Sequence, residues 1–475
     1  VGLGYLTLNR LSNTLSGGES QRINLATSLG SSLIGSMYIL DEPSIGLHPR
    51  DTNRLIKILE KLRNIGNTVI IVEHEEEIMR SADEIIDIGP MAGTNGGEIV
   101  FQGKNIYKNS SENSLTAQYL SNKMQIPIPE KRRKWNNYIF LESVSQNNLK
   151  EIDLKIPLNV MTVITGVSGS GKSSLVNDVL FNFLKKHLEI SSAKPINCKS
   201  ISGDLQLINH VEYINQNPIG KSSRSNPVTY IKAFDEIRNL FANQHTSKIN
   251  GYKPKHFSFN VDGGRCDECE GEGALKIEMQ FMSNVMLTCE SCNGKRYKDD
   301  ILEVLYKEKS ISDILKMTID EALVFFNDPN DKLENKIKEK ITPLQDVGLG
   351  YVQLGQSSST LSGGESQRIK LASFLGKKND HTKTLFIFDE PTIGLHFHDI
   401  KKLLLALNAL IEKGNHIIII EHNTEIIKSA DWVIDLGPEG GDEGGQVIFE
   451  GTPEDLISNK KSYTGKYLAE KISPN

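Results

Sequence analysis

The chain has no run of 18 or more apolar residues, so no stretch is long enough for a helical membrane span. Its longest apolar stretches, such as HIIII at 416–420, have the length of buried strands. No secretory leader is expected from the opening residues either, and the expectation is a cytoplasmic location with no membrane partner. Excess positive charge is also lacking. The net charge is −6 and the pI about 6.1, so any nucleic-acid surface must be a local patch. Cysteine is scarce: there are five, and four of them form two C-x-x-C pairs, with Cys198 alone. In a chain without a leader this pattern points to a metal in a reducing compartment rather than to disulfides. The chain opens at Val1 without Met, which fits processing of the terminus and fits better a sequence cut from a longer one. With 475 residues it has room for two or more domains.

What is present is a long repeat. VGLGY occurs at 1–5 and 347–351, and LSGGESQRI at 15–23 and 361–369. LDEPSIGLH (40–48) matches FDEPTIGLH (388–396), VEH (72–74) matches IEH (420–422), and ADEIIDIGP matches ADWVIDLGP. The offset is 346 residues before the LSGGESQRI stretch and 348 after it. Such a period is too long for a solenoid and describes two copies of one large domain. The copies are unequal, because GVSGSGKSS precedes only the second LSGGESQRI stretch. The expected organisation is residues 1–103 as the later part of a first domain and 104–137 as a linker. Residues 138–475 then form a complete second domain. The linker run KRRK, Lys131 to Lys134, reads as a solvated charge run.

GVSGSGKS at 166–173 fits G-x-x-x-x-G-K-[ST] between an apolar strand pattern and a helical one, the setting a phosphate loop requires. Gly166, Gly169 and Gly171 let backbone N–H groups turn toward phosphate oxygens. Val167, Ser168, Ser170 and Ser174 complete the loop. Lys172 is placed to reach the β- and γ-phosphates, and Ser173 to hold Mg²⁺. TLFIFDEP reads as a buried parallel strand whose end presents Asp389 for Mg²⁺ and Glu390 to orient or activate water. A lone histidine is more often structural. The same Glu-His pair ends a strand in both copies, however, which favours His422 as a γ-phosphate sensor. Gln216 is a candidate link between Mg²⁺, water and a neighbouring subdomain.

These residues together resemble the ABC ATPase family. In that family two nucleotide domains pair head to tail, and the LSGG signature of one caps the ATP held by the other. The resemblance implies two composite sites. One combines Gly166–Ser174, Gln216, Asp389, Glu390 and His422 with Ser16, Gly17, Gly18 and Glu19. The second pairs Asp41, Glu42 and His74 with Ser362, Gly363, Gly364 and Glu365, and its phosphate loop is not in this sequence. The implied fold class is α/β, with P-loop ATPase domains of mixed sheet flanked by helices and an inserted helical, zinc-binding signature subdomain.

The insertion narrows the resemblance. CDECEG and CESCNG give C-x₂-C-x₁₉-C-x₂-C, the spacing of a structural Cys₄ zinc site through Cys266, Cys269, Cys289 and Cys292. It sits within the roughly 190 residues between phosphate loop and signature, alongside NPIGKSSRSNPVTY and FSFNVDGGRCDECEGEG. The inserted subdomain is expected at about 190–345, with its zinc module at 255–300. The combination is similar to the UvrA family, the damage-sensing ATPases of bacterial nucleotide excision repair. The resemblance implies ATP, Mg²⁺ and zinc as cofactors, a homodimer, damaged duplex DNA as ligand and UvrB as partner. It implies an ATPase of the excinuclease ABC system that cuts nothing itself, and a chain that is the C-terminal half of a longer protein. A paralogue serving drug resistance or self-protection stays open, since the UvrB-binding region lies outside this sequence.

Residues 221–256 carry seven Lys or Arg against two acids in an otherwise acidic chain. Lys221, Arg224, Lys253 and Lys255 are the expected phosphate contacts. No base-reading motif is present, which suits a sensor of duplex deformability.

Overall fold

The structure, a computed structural model, describes the chain apart from residues 1–2, 5, 7, 10, 12–16, 31–33, 94–95, 107–112, 191–194, 221, 223, 278–284, 377–381 and 473–475. Two compact units emerge, one of residues 1–215 with 379–475, the other of residues 216–378. The second unit runs later at both ends than the expected 190–345. Residues 210–214 are claimed by a sheet of the first unit, and the signature helix Gly363–Leu375 packs on Lys332–Asp346 of the second.

In the first unit the earlier repeat supplies β1 (Met37–Asp41), β2 (Thr68–Val72), β3 (Ile85–Gly89) and β4 (Glu98–Gly103). β1 and β2 pair in parallel around the helix Pro49–Asn64, whose Leu55, Leu59 and Leu62 form the buried stripe. β3 and β4 pair antiparallel. The later repeat supplies β5 (Tyr138–Val144), β6 (Ile152–Pro157), β7 (Met161–Gly166), β8 (Ser200–Gly203) and β9 (His210–Ile214). After β10 (Ala274–Ile277) and β11 (Val285–Thr288), a hairpin of the second unit, it adds β12 (Thr384–Asp389), β13 (His416–Ile420), β14 (Trp432–Gly437) and β15 (Gln446–Gly451). The order β15-β14-β7-β13-β12-β9 makes one mixed sheet, parallel except at β15. β7 and β13 are buried throughout, which is why they read as unbroken apolar runs.

β7 lies between β13 and β14 and holds the later repeat together. Among the described residues no strand joins β2 to β3 in the earlier repeat. Met37, Ile39, Ile70, Val72, Ile86 and Ile88 are exposed on the earlier repeat, whereas the matching strands of the later one are buried.

The segment expected to be a linker carries a helix of its own, and its basic run is only partly solvated, with Lys131 and Lys134 exposed and Arg132 and Arg133 engaged. Its helix Leu115–Leu120 buries Ala117, Tyr119 and Leu120. Arg132 donates to the carbonyls of Ala430 and Lys428, and Arg133 donates to Asp431 and Asn408. Spacing alone hid these acceptors, which lie some 300 residues downstream.

The second unit packs Phe234, Phe241, Phe257, Phe259 and Tyr297 beneath short helices. No helix of the described residues is long and apolar enough to cross a membrane.

Candidate functional site

The glycines of the phosphate loop are required by geometry. Gly166, Gly169 and Gly171 have φ of 133°, 78° and 106°. A side chain on Gly166 would meet the Leu436 carbonyl at 2.1 Å, and one on Gly171 would meet Leu149 at 2.8 Å. Lys172 is buried and donates to the carbonyls of Gly166 and Val167 at 2.9 and 3.1 Å. Burial lowers its ammonium to about 8 against the opposing pull of Glu390, Asp435 and Asp389. The side-chain oxygens of Ser168 and Ser170 are buried without hydrogen-bond partners. Val167 is buried, Ser174 opens the helical stretch Ser174–Phe181, and Ser173 just before it is exposed. A glycine loop of this backbone, with orphaned hydroxyls and a buried lysine, fits a polyphosphate.

Asp389 and Glu390 leave the end of β12. Burial raises the Asp389 carboxyl, opposed by a 2.7 Å hydrogen bond donated by Tyr213. Glu390 is pushed up to about 8 by burial, Asp389 and Glu421. His422 Nε2 lies 3.8 Å from Glu390 Oε1, and burial keeps the imidazole neutral. The earlier repeat mirrors this, with His74 Nε2 3.9 Å from Glu42 Oε1. Burial likewise raises Glu42. Asp41 closes β1 as Asp389 closes β12. A cavity of about 210 Å³ lies between the repeats, walled by Glu42, His74, Glu390 and His422 among others.

Sequence reasoning missed two kinds of residue here. Tyr213, on β9, has no motif. Glu73 and Glu421 were visible as repeated text, yet their role is conformational. Glu421 accepts from the N–H groups of Thr392, His422 and Asn423, and Glu73 from those of Ser44, His74 and Glu75.

The first signature helix spans Gly17–Gly30, with Glu19 buried in its first turn. Ser16 lies outside the described residues. In the second signature Ser362 and Glu365 form a reciprocal cap on the helix Gly363–Leu375, an S-x-x-E box legible in the sequence. Gln216 opens the second unit, and a side chain on Gly363 would lie 3.0 Å from its Cβ.

Cys266, Cys269, Cys289 and Cys292 are all buried, with ligand atoms within 4.8 Å of one another. The Sγ atoms of Cys266 and Cys289 are 3.9 Å apart, and those of Cys269 and Cys292 are 3.6 Å apart. A tetrahedron with Zn–S bonds of about 2.3 Å has edges of about 3.8 Å, so the donor set fits zinc. Of the expected DNA contacts, Lys253 and Lys255 are exposed. Arg224 instead bonds Glu270 at 3.0 Å and approaches Glu272 at 3.6 Å. Lys221 lies outside the described residues.

No family model matches the chain. UvrABC system protein A of Clostridium perfringens is 54% identical over 470 residues, 98% of this chain and 49% of that protein. Its Staphylococcus aureus counterpart is 54% identical over 472 residues, 99% of this chain and 49% of that protein. The chain is of the UvrA family. It spans about half the length of the UvrA relatives it matches. The crystal structure of UvrA2 from Deinococcus radiodurans superposes with a TM-score of 0.91 at 42% identity, over 99% of this chain and 56% of that one. A chain of a model of ribosome-bound archaeal Pelota and ABCE1 matches at 16% identity with a TM-score of 0.51, over 95% of this chain and 58% of that one, a likeness of fold alone.

Proposed function

We propose that this UvrA-family chain works in ATP-dependent recognition of damaged duplex DNA in nucleotide excision repair. The carrying observation is Lys172 buried beside the Asp389 and Glu390 carboxylates in a chain 54% identical to UvrABC system proteins. In this reading Lys172 and the loop from Gly166 to Ser174 bind the phosphates of ATP, and Ser173 and Asp389 hold Mg²⁺, which supplies charge neutralisation at the phosphates. Glu390 accepts a proton from the attacking water, and His422 senses the γ-phosphate. The first signature, Ser16 to Glu19, completes this site. The second, Ser362 to Glu365, serves the site of Asp41, Glu42 and His74. Gln216 links the phosphate side to the signature unit. The four cysteines hold a structural zinc. Duplex DNA meets the basic surface that includes Lys253 and Lys255, while Arg224 supports the zinc module. A dimer and a UvrB partner follow from the family, as does the role of an excinuclease component that is not itself the nuclease.

The test is fluorescence anisotropy of the chain on one duplex with and without a single bulky adduct, with ATP, at two salt concentrations. Tighter, ATP-dependent binding to the adduct is expected, lost in Lys172→Ala. Equal binding to both duplexes, unchanged by ATP, would overturn the reading.

A further inference from the structure

The repeated SIGLH and TIGLH loops each end in a histidine that the proposed site does not use. His48 caps the helix Pro49–Asn64, its Nδ1 accepting from the Arg50 N–H at 3.1 Å. In the neutral ring that places the proton on Nε2. Nε2 meets Thr464 Oγ1 at 3.1 Å and serves as its donor. The Thr464 hydroxyl donates in turn to Asp435 Oδ1 at 3.3 Å, and Ser462 donates to the other carboxylate oxygen. Asp435 lies on β14, paired with Thr165 at the end of β7, where the phosphate loop begins. His48 is wholly buried, and burial, aided by Lys172 and Arg50, lowers it to about 3. It therefore acts through hydrogen bonds, not as a cation.

The same construction recurs with the repeats exchanged. His396 Nδ1 accepts from the His398 N–H at 3.3 Å, and its Nε2 meets Thr116 Oγ1 at 3.3 Å. Thr116 donates to Asp87 at 3.0 Å, and Ser114 donates to the other Asp87 oxygen at 2.6 Å. Every pair of equivalents, His48 with His396, Asp87 with Asp435 and Thr116 with Thr464, is 348 residues apart. Each chain of bonds crosses from one repeat to the other.

The loops held in this way lie against the catalytic carboxylates proposed above. A side chain on Gly46 would reach Glu390 Oε2 at 2.9 Å, and one on Gly394 would reach Glu42 Oε1 at 3.1 Å. The His48 ring stands edge-on to His422, centroids 5.8 Å apart.

We propose that His48, Thr464 and Asp435 form a positioning relay that seats residues 44–48 of the first repeat against Glu390 and His422 of the second. His396, Thr116 and Asp87 form its counterpart, seating residues 392–396 against Glu42. The inference rests on the ATPase reading and deepens it, because the surroundings of one catalytic glutamate's carboxylate are then set by the other repeat. The relay residues act by holding Glu390 and His422 where water is activated, where a displacement of about 1 Å costs roughly a hundredfold in rate.

The experiment measures steady-state ATP hydrolysis and binding of a fluorescent ATP analogue by the 475-residue chain. Thr464→Val keeps the side-chain volume and removes the hydroxyl, and Thr464→Ser keeps the hydroxyl and removes the methyl. Thr464→Val should lower kcat by about ten- to a hundredfold, with KM and analogue affinity within about threefold of the parent. Thr464→Ser should hold kcat near the parent value. His48→Asn is the second variant, since asparagine preserves the helix cap and is too short to reach Thr464. It should lose kcat to the same extent. A Thr464→Val kcat within about twofold of the parent overturns the relay, as does an equal loss in Thr464→Ser, which would mark a packing role. Parent turnover no faster than that of Lys172→Ala would overturn the ATPase reading itself.

Discussion

Glu42 and Glu390 share an unusual backbone, with φ of 43° and 46°. For a side chain other than glycine this costs on the order of 1–3 kcal/mol and persists only where neighbours enforce it. Here the enforcing contacts are the Glu73 and Glu421 carboxylates, which accept from the Ser44 and Thr392 N–H groups just downstream. Replacing Glu390 with Gln keeps the shape and removes the base. Hydrolysis should fall by about 10²–10⁴, while ATP-analogue affinity stays near the parent value. Comparable turnover in the variant would exclude Glu390 as the base. A pH dependence follows from burial and the carboxylates of Asp389 and Glu421, which hold the Glu390 proton up to about 8. A base must be ionised to act, so kcat/KM should rise with pH through about 8, and Glu390→Gln should flatten that rise. A level profile in the parent would contradict the assignment.

Among the elements, the connection between the repeats carries a stability prediction. Asp431 is buried and accepts from Met161 N–H, Arg133 N–H and the Arg133 guanidinium. Arg133→Ala leaves that carboxylate short of a charged partner. Urea denaturation should show a loss of roughly 1–3 kcal/mol, and a midpoint equal to the parent's would show that the connection is loosely held. The zinc module gives a second test. Its four thiols belong to residues 216–378, whereas Lys172 and Glu390 belong to the other unit. Chelation at neutral pH should release about one zinc per chain and lower the helical circular dichroism, with ATP-analogue binding by the P-loop unit retained. Loss of analogue binding in step with zinc would contradict that independence.

For the whole molecule, an acidic chain binding DNA must concentrate its phosphate contacts, and Lys253 and Lys255 are exposed on the locally basic stretch. The double change Lys253→Ala with Lys255→Ala should weaken binding to every duplex alike. It should reduce the slope of log affinity against log salt by about 1–2. An unchanged slope would move the DNA surface elsewhere.

By itself the sequence determined what depends on short spacing. A phosphate loop needs glycines and lysine within nine residues, a Cys₄ site needs two C-x-x-C pairs, and a buried parallel strand needs an apolar run. All three were readable as text, and the repeat showed two copies of one large domain, with a phosphate loop ahead of only the second signature. Tertiary structure decided which groups meet. His48 and Thr464 are 416 residues apart and bond at 3.1 Å. The Glu270 partner of Arg224 and the Asp431 partner of Arg133 are likewise brought in only by the fold. The reason is physical. A hydrogen bond or an ion pair depends on two groups meeting at about 3 Å, and local spacing specifies neither the distant partner nor whether water has been excluded.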